Sequence, residues 1–236
     1  MFTLNMQRLI KSQIPAFIAV LLLSASNFAQ VIDGAEAELS TPLSAKELLQ
    51  DFMSNAFTLS TDFTQVVIDE EGKLDPRASS AGVFALARPG KFRWQITEPN
   101  TQLIMSDGKN LWNYDVELEQ ATVKPVDESL SATPAMLLSG EENVLDAFDL
   151  NGSFVTIYDD ERVQWLELIP KETHSDFSRV RLGFNDNDIR IMELSTNIGQ
   201  IIRIEFLSVA RNLELDEQLF RFSAPDYVDI IGEAAE

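Results

Sequence analysis

From Phe57 onward the apolar residues of this chain recur with a period of two, and turn-forming residues separate one such run from the next. No other feature restricts the fold as much, because side chains that alternate between two environments belong to strands with one buried face. Strands read near 58–68, 82–87, 92–97, 102–106, 110–115 and 120–125, then near 154–158, 164–170, 179–184, 189–194 and 201–209. The first set is linked through Pro76, Pro89-Gly90, Pro99-Asn100 and Asp107-Gly108, all turn chemistry. Short links make neighbours antiparallel. About eleven such strands laid flat would leave awkward edges. The expectation is therefore a mainly β fold with helices (α+β), its strands curled into an unclosed antiparallel barrel.

Helical spacing interrupts this pattern twice. Ser44-Ala45-Lys46-Glu47 has the form of a capping box, and after it Leu49, Phe52, Met53 and Ala56 recur at i, i+3, i+4 and i+7. In the middle of the chain, Thr133-Pro134 offers a cap and a proline for the first helical position. Ala135-Met136-Leu137-Leu138 follows, with Gly140 as a stop. A second short helix is expected over 141–148. These amphipathic helices need an apolar surface to cover, and one face of the sheet is the only large one available.

Ala87-Arg88-Pro89-Gly90 ends one of the strands with a permanent charge. The alternation through Gly82-Val83-Phe84-Ala85-Leu86-Ala87-Arg88 places Phe84, Leu86 and Arg88 on one face. An arginine there either sits at the rim of the buried surface or enters it with specific acceptors.

The first 29 residues read as a secretory signal. Arg8 and Lys11 supply a basic start, residues 16–23 an apolar run, and Ser24, Ala25, Ser26 and Ala29 small residues, with cleavage near Ser26 or Ala29. Residues 30–236 are then expected to form a single domain, long enough for a sizeable core. The chain has no cysteine, so neither a disulfide nor a lipid-modified terminal Cys is expected, and the product should be free in the periplasm or outside the cell. Without Arg8 and Lys11 it carries 16 basic against 38 acidic residues, a net charge of −22. Such a chain repels phosphate backbones and anionic headgroups, which argues against nucleic-acid binding and charge-driven membrane adsorption. Asp69-Glu70-Glu71 and Asp159-Asp160-Glu161 read as solvated turns or as docking patches for a basic partner.

Catalytic chemistry is scarce. The one histidine, His174, lies in the polar stretch Glu172-Thr173-His174-Ser175-Asp176. A zinc site, a Cys nucleophile and a Ser–His–Asp triad are all poorly supported, and no nucleotide-binding fingerprint occurs. Asn185-Asp186-Asn187-Asp188 lacks the central Gly and distal Glu of a calcium loop and reads as a hairpin turn. The chain reads as a binder, not an enzyme, with no cofactor.

What it binds turns on its interior. Phe84, Leu86, Phe92, Trp94, Leu103 and Met105 lie on adjacent strands at alternating positions. They form either a packed barrel core or an apolar cavity. In the second case the cover is built from the Leu49/Phe52/Met53 helix and the Met136-Leu137-Leu138 helix.

Phe63-Thr64-Gln65 is followed by Gly82, Arg88-Pro89, Phe92-Arg93-Trp94 and Pro99. Ser106-Asp107-Gly108-Lys109, Leu111-Trp112, Tyr114, Glu119-Gln120, Thr133-Pro134, Phe220-Arg221-Phe222 and Pro225 come next. In this order and spacing the chain resembles the family of periplasmic outer-membrane lipoprotein carrier proteins, the LolA family, over nearly all of 30–236. Val116 stands where the family often has Pro, and the strong acidity is not a general family trait. The related outer-membrane receptor family shares the fold but is itself lipid-anchored, against which the missing Cys argues.

The resemblance implies a cavity, under a lid of helices, that takes lipoprotein acyl chains. It implies cargo accepted from an inner-membrane ABC transporter and passed to an outer-membrane receptor by a monomeric carrier. It also implies that Arg88 bonds to backbone carbonyls of the lid, around Leu137-Leu138, and holds the empty form shut, while Phe92 and Trp94 line the cavity. A periplasmic module that senses lipid or lipoprotein, or a glycolipid carrier, is the alternative.

Overall fold

The computed structural model describes residues 43–126, 134–140, 144–172 and 175–235. The signal-like leader, Thr133 and His174 lie outside the described residues. The first described element, α1 (Ala45–Asn55), begins as its residues require. Ser44 Oγ accepts from the Glu47 amide at 3.3 Å, and Glu47 Oε2 accepts from the Ser44 amide at 2.8 Å. Two of the donors left open at a helix start are thereby satisfied.

The chain then enters a run of six strands: β1 (Thr58–Ile68), β2 (Leu74–Ala87), β3 (Lys91–Glu98), β4 (Gln102–Asp107), β5 (Asn110–Asp115) and β6 (Gln120–Pro125). A one-and-a-half-turn helix, α2 (Pro134–Ser139), and a 3-10 turn over Val144–Ala147 separate these from β7 (Phe148–Tyr158), β8 (Glu161–Pro170), β9 (Phe177–Asn185), β10 (Asp188–Thr196) and β11 (Ile201–Arg211). The 3-10 turn stands where the spacing predicts a second short helix.

All eleven predicted strands are present, with β2 and β7 starting well before their expected residues. A twelfth, β12 (Asp229–Gly232), follows a 3-10 turn over Glu217–Phe220. Consecutive strands pair antiparallel except β6 with β7 and β11 with β12; instead β1 pairs with β11, which brings the two halves into one sheet of order β12-β6-β5-β4-β3-β2-β1-β11-β10-β9-β8-β7. β12 adds parallel to β6. The outermost strands, β12 and β7, do not pair with each other, so the sheet is unclosed.

Each face has its own core. The larger, inner one gathers Leu48, Leu49 and Phe52 of α1 and Met136, Leu137 and Leu138 of α2. They pack over Leu59, Phe63, Phe84, Leu86, Phe92 and Trp94 and over Leu166, Leu182, Phe184, Met192, Ile204 and Phe206. Residues from both halves thus meet in one cluster, with Phe63 and Trp94 at 4.4 Å between ring centroids and Phe52 and Phe184 at 5.4 Å. By area alone, each fully buried Leu or Phe of this kind contributes about 1.5–3 kcal/mol.

The outer face is clad differently in its two halves. Over β3–β6, the segment after β11 lays Phe222 and Val228 on Leu103, Met105, Tyr114, Ala121 and Trp112, with Phe222 stacked on Trp112 at 4.6 Å. Over β8–β11 the outer face carries alternating charges. Glu167 meets Arg181 at 2.8 Å and Arg179 at 3.4 Å, and Glu193 meets Arg203 at 2.7 Å and Arg181 at 3.8 Å.

Candidate functional site

The site begins where the alternation of β2 runs out. Phe84 and Leu86 are fully buried on the inner face, and Arg88 continues the same side at the strand end, half-buried. Its amide donates to Phe57 O at 2.8 Å, anchoring the backbone beside the end of α1. From there the side chain turns inward between the two helices.

Among the described residues every acceptor of the guanidinium is a backbone carbonyl. Nε and Nη2 donate to Leu138 O at 3.2 and 2.9 Å, at the C-terminal end of α2. Nη1 reaches Phe52 O at 3.1 Å, Met53 O at 3.4 Å and Ala56 O, at the C-terminal end of α1. The same group lies 4.6 Å from the centroid of the Phe52 ring. One cation therefore joins the ends of both helices, where unpaired carbonyls concentrate partial negative charge. Among the described residues no carboxylate offsets its burial, which lowers its pKa to about 10. It stays charged at neutral pH.

The resemblance implied contacts around Leu137-Leu138. In α2 the bonds go to Leu138, and the other lid helix, α1, contributes the carbonyls of Phe52, Met53 and Ala56. A second, backbone contact accompanies them, as the Gly90 amide donates to Ser139 O at 3.2 Å.

Of the residues read as lining an interior, Phe84, Leu86, Phe92 and Trp94 share the inner cluster with Leu49, Phe52, Met136, Leu137 and Leu138, and Met53 packs at its margin. Leu103 and Met105 do not join them. They sit in the outer cluster, opposite Tyr114 and Trp112. The hairpin register pairs Trp94 with Ile104 and Phe92 with Ser106, so Ile104 faces inward. Leu103-Ile104-Met105 is apolar on both sides, so alternation alone does not choose its face, and the C-terminal segment covers the side that looked spare.

A cavity of about 260 Å³ lies beside the N-terminal part of α2, lined by Trp94, Ile96, Ile104, Ala135, Phe177 and Leu194 among others, with Gln65 and Gln102 the polar members. Preformed sites for drug-sized ligands run to about 300–1,000 Å³. Arg88 bonds to the ends of both helices that lie over this face. Ile96, Ile104 and Leu194 fall within strands read from the sequence but were not singled out there. The available signals were period-two spacing, Ile96 with Trp94 and Leu194 with Met192. Among the described residues no group of acidic or histidine side chains is arranged to hold a metal.

Residues 54–223 match the family model described as outer membrane lipoprotein carrier protein LolA. The chain is 42% identical over 185 residues to the outer-membrane lipoprotein carrier protein of Methylococcus capsulatus, spanning 78% of this chain and 86% of the relative. It is 39% identical over 189 residues to the outer-membrane lipoprotein carrier protein of Dechloromonas aromatica, spanning 80% and 88%.

Proposed function

Since the chain belongs to the outer-membrane lipoprotein carrier (LolA) family, we propose that it is a periplasmic carrier, not an enzyme, that hides the acyl chains of lipoproteins between its sheet and its two helices. Residues 30–236 act as one monomeric domain after removal of a 1–29 leader. Cargo comes from an inner-membrane ABC transporter and leaves to an outer-membrane receptor.

The energetics demand both a pocket and a reason to empty it. Each CH₂ of an acyl chain costs roughly 0.8 kcal/mol to expose to water, so free diffusion of a multiply acylated protein is excluded. A pocket that stood open would hold such cargo too well. Here α1 and α2 cover the apolar face of the sheet, burying Phe52, Leu137 and Leu138 there. Loading must lift these side chains off and break the Arg88 bonds. Charge-assisted hydrogen bonds contribute about 1.5–3 kcal/mol each, so a closed lid competes with cargo and favours its release.

The observation that carries this reading is the one guanidinium bonded to carbonyls at the ends of both covering helices. Arg88 is the latch, Leu49, Phe52, Met53, Met136, Leu137 and Leu138 are the lid, and Phe84, Leu86, Phe92 and Trp94 are acyl-chain contacts.

The test is transfer of a radiolabelled triacylated lipoprotein from transporter proteoliposomes, through purified carrier, to purified receptor. Arg88→Leu is expected to load normally and to unload at least tenfold more slowly, accumulating as carrier–cargo complex. Unchanged unloading would refute the latch. Native mass spectrometry of protein from its own periplasm is expected to reveal bound acylated protein, and a bare lipid in its place would favour the glycolipid alternative.

A further inference from the structure

We infer that Gly140 is a positioning residue of the closed lid: the missing side chain at this position is the seat on which the stem of Arg88 lies. This rests on the latch reading and adds a second component to it, on the opposite side of the contact.

Gly140 follows α2 directly and has φ +71, the left-handed conformation that ends many helices. Helix termination alone would tolerate Asn, which adopts this conformation with little penalty. The surroundings are more restrictive. A Cβ at Gly140 would lie 2.7 Å from Cδ, 2.9 Å from Nε and 3.2 Å from Cγ of Arg88, distances below ordinary van der Waals contact. These atoms belong to a flexible side chain, so elsewhere the clash would be relieved by a small swing. Here the swing is constrained, because Nε and Nη2 are held on Leu138 O and Nη1 on the carbonyls of α1. Any side chain at 140 therefore displaces either the guanidinium from Leu138 or the end of α2 from the Arg88–Gly90 turn. Both movements open the lid. Gly140 thus sets how tightly an unaltered Arg88 can close it.

Strain and seating are separable. Gly72 has φ +79 with no atom within 4 Å of its would-be Cβ, so Gly72→Ala carries the backbone penalty without a clash. Gly140→Asn does the reverse, bringing the Cβ in a residue suited to positive φ.

The readout is hydrogen–deuterium exchange over α2 in the purified, empty protein. Gly140→Ala and Gly140→Asn are each expected to raise exchange about tenfold or more, as loss of the charge-assisted bonds to Leu138 O requires. Gly72→Ala should leave α2 unchanged. In an Arg88→Ala background, where the stem is gone, Gly140→Asn should add less than about twofold, and Gly140→Ala should keep only its backbone penalty.

Equal effects of the Gly140 substitutions in both backgrounds, or none in the first, overturn the seat while leaving the latch intact. No change in α2 exchange on Arg88→Ala alone overturns the latch itself, and the seat with it.

Discussion

Two half-buried guanidinium groups on opposite faces of one sheet have been given opposite partners. On the inner face the described partners of Arg88 are carbonyls and the Phe52 ring, and burial lowers its pKa to about 10. On the outer face burial also disfavours the charge of Arg203, but hydrogen bonds and attraction from Glu193 more than offset it, and its pKa is raised. The lesson lies in what happens when each contact breaks. Carbonyls at a helix end are neutral and can turn to water once the helix lifts. Glu193 is 8% exposed, and a carboxylate so placed has no comparable substitute for its arginines. Charge pairing makes a strut, and carbonyl pairing makes a fastening that can be undone.

The largest effect should come from breaking the strut. Glu193→Gln takes the counter-charge from Arg203 and leaves Arg181 with Glu167 alone, and since both arginines retain some solvent contact we expect a loss of roughly 2–4 kcal/mol in folding stability, with no change in α2 exchange. Urea unfolding measures it, and a loss below about 0.5 kcal/mol would erase the distinction between the faces. Arg88→Leu should shift the same unfolding curve by about 1–2 kcal/mol, less than Glu193→Gln, because its acceptors rehydrate while the lid loosens. A loss above about 3 kcal/mol would make Arg88 a strut as well.

Arg88→Lys is a finer probe. It keeps the charge but not the planar fork that serves both helices, so unloading should fall only severalfold, between wild type and Arg88→Leu. Full activity of the Lys protein would reduce the latch to simple charge.

The smallest effect is in acid. At Glu167 burial works to raise the pKa, but hydrogen bonds from Asn151 and Arg181 and the attraction of Arg181 and Arg179 hold it below 4.5. A depressed carboxylate contributes stability that is present above its unfolded value and lost as pH falls through the folded one. Glu167→Gln should therefore flatten the decline in Tm between about pH 5 and about pH 3, whereas Arg88→Leu should leave that slope unaltered.

Much of this architecture could be read before any coordinates. The capping box of Ser44 and Glu47 is local chemistry, complete within four consecutive residues. The face shared by Phe84, Leu86 and Arg88 followed from alternation, because Val83, the odd member, could be left outside. Where that contrast vanished the reading failed, as Leu103-Ile104-Met105 presents apolar side chains both ways. Strand β12 was missed for a related reason: four exposed residues pairing parallel to a strand more than a hundred residues earlier leave no periodic trace.

The order of hydrophobic and turn residues determined by itself that the chain makes a curled sheet with helices to cover it, that an arginine ends a buried strand, and that a glycine ends the middle helix. These are matters of spacing along the chain, and short-range geometry enforces them. Tertiary structure alone decided which carbonyls that arginine finds, which side of β4 faces the helices, and that Gly140 lies against the stem of Arg88. A backbone carbonyl is the same in every residue, and a missing Cβ matters only once a distant side chain has arrived beside it.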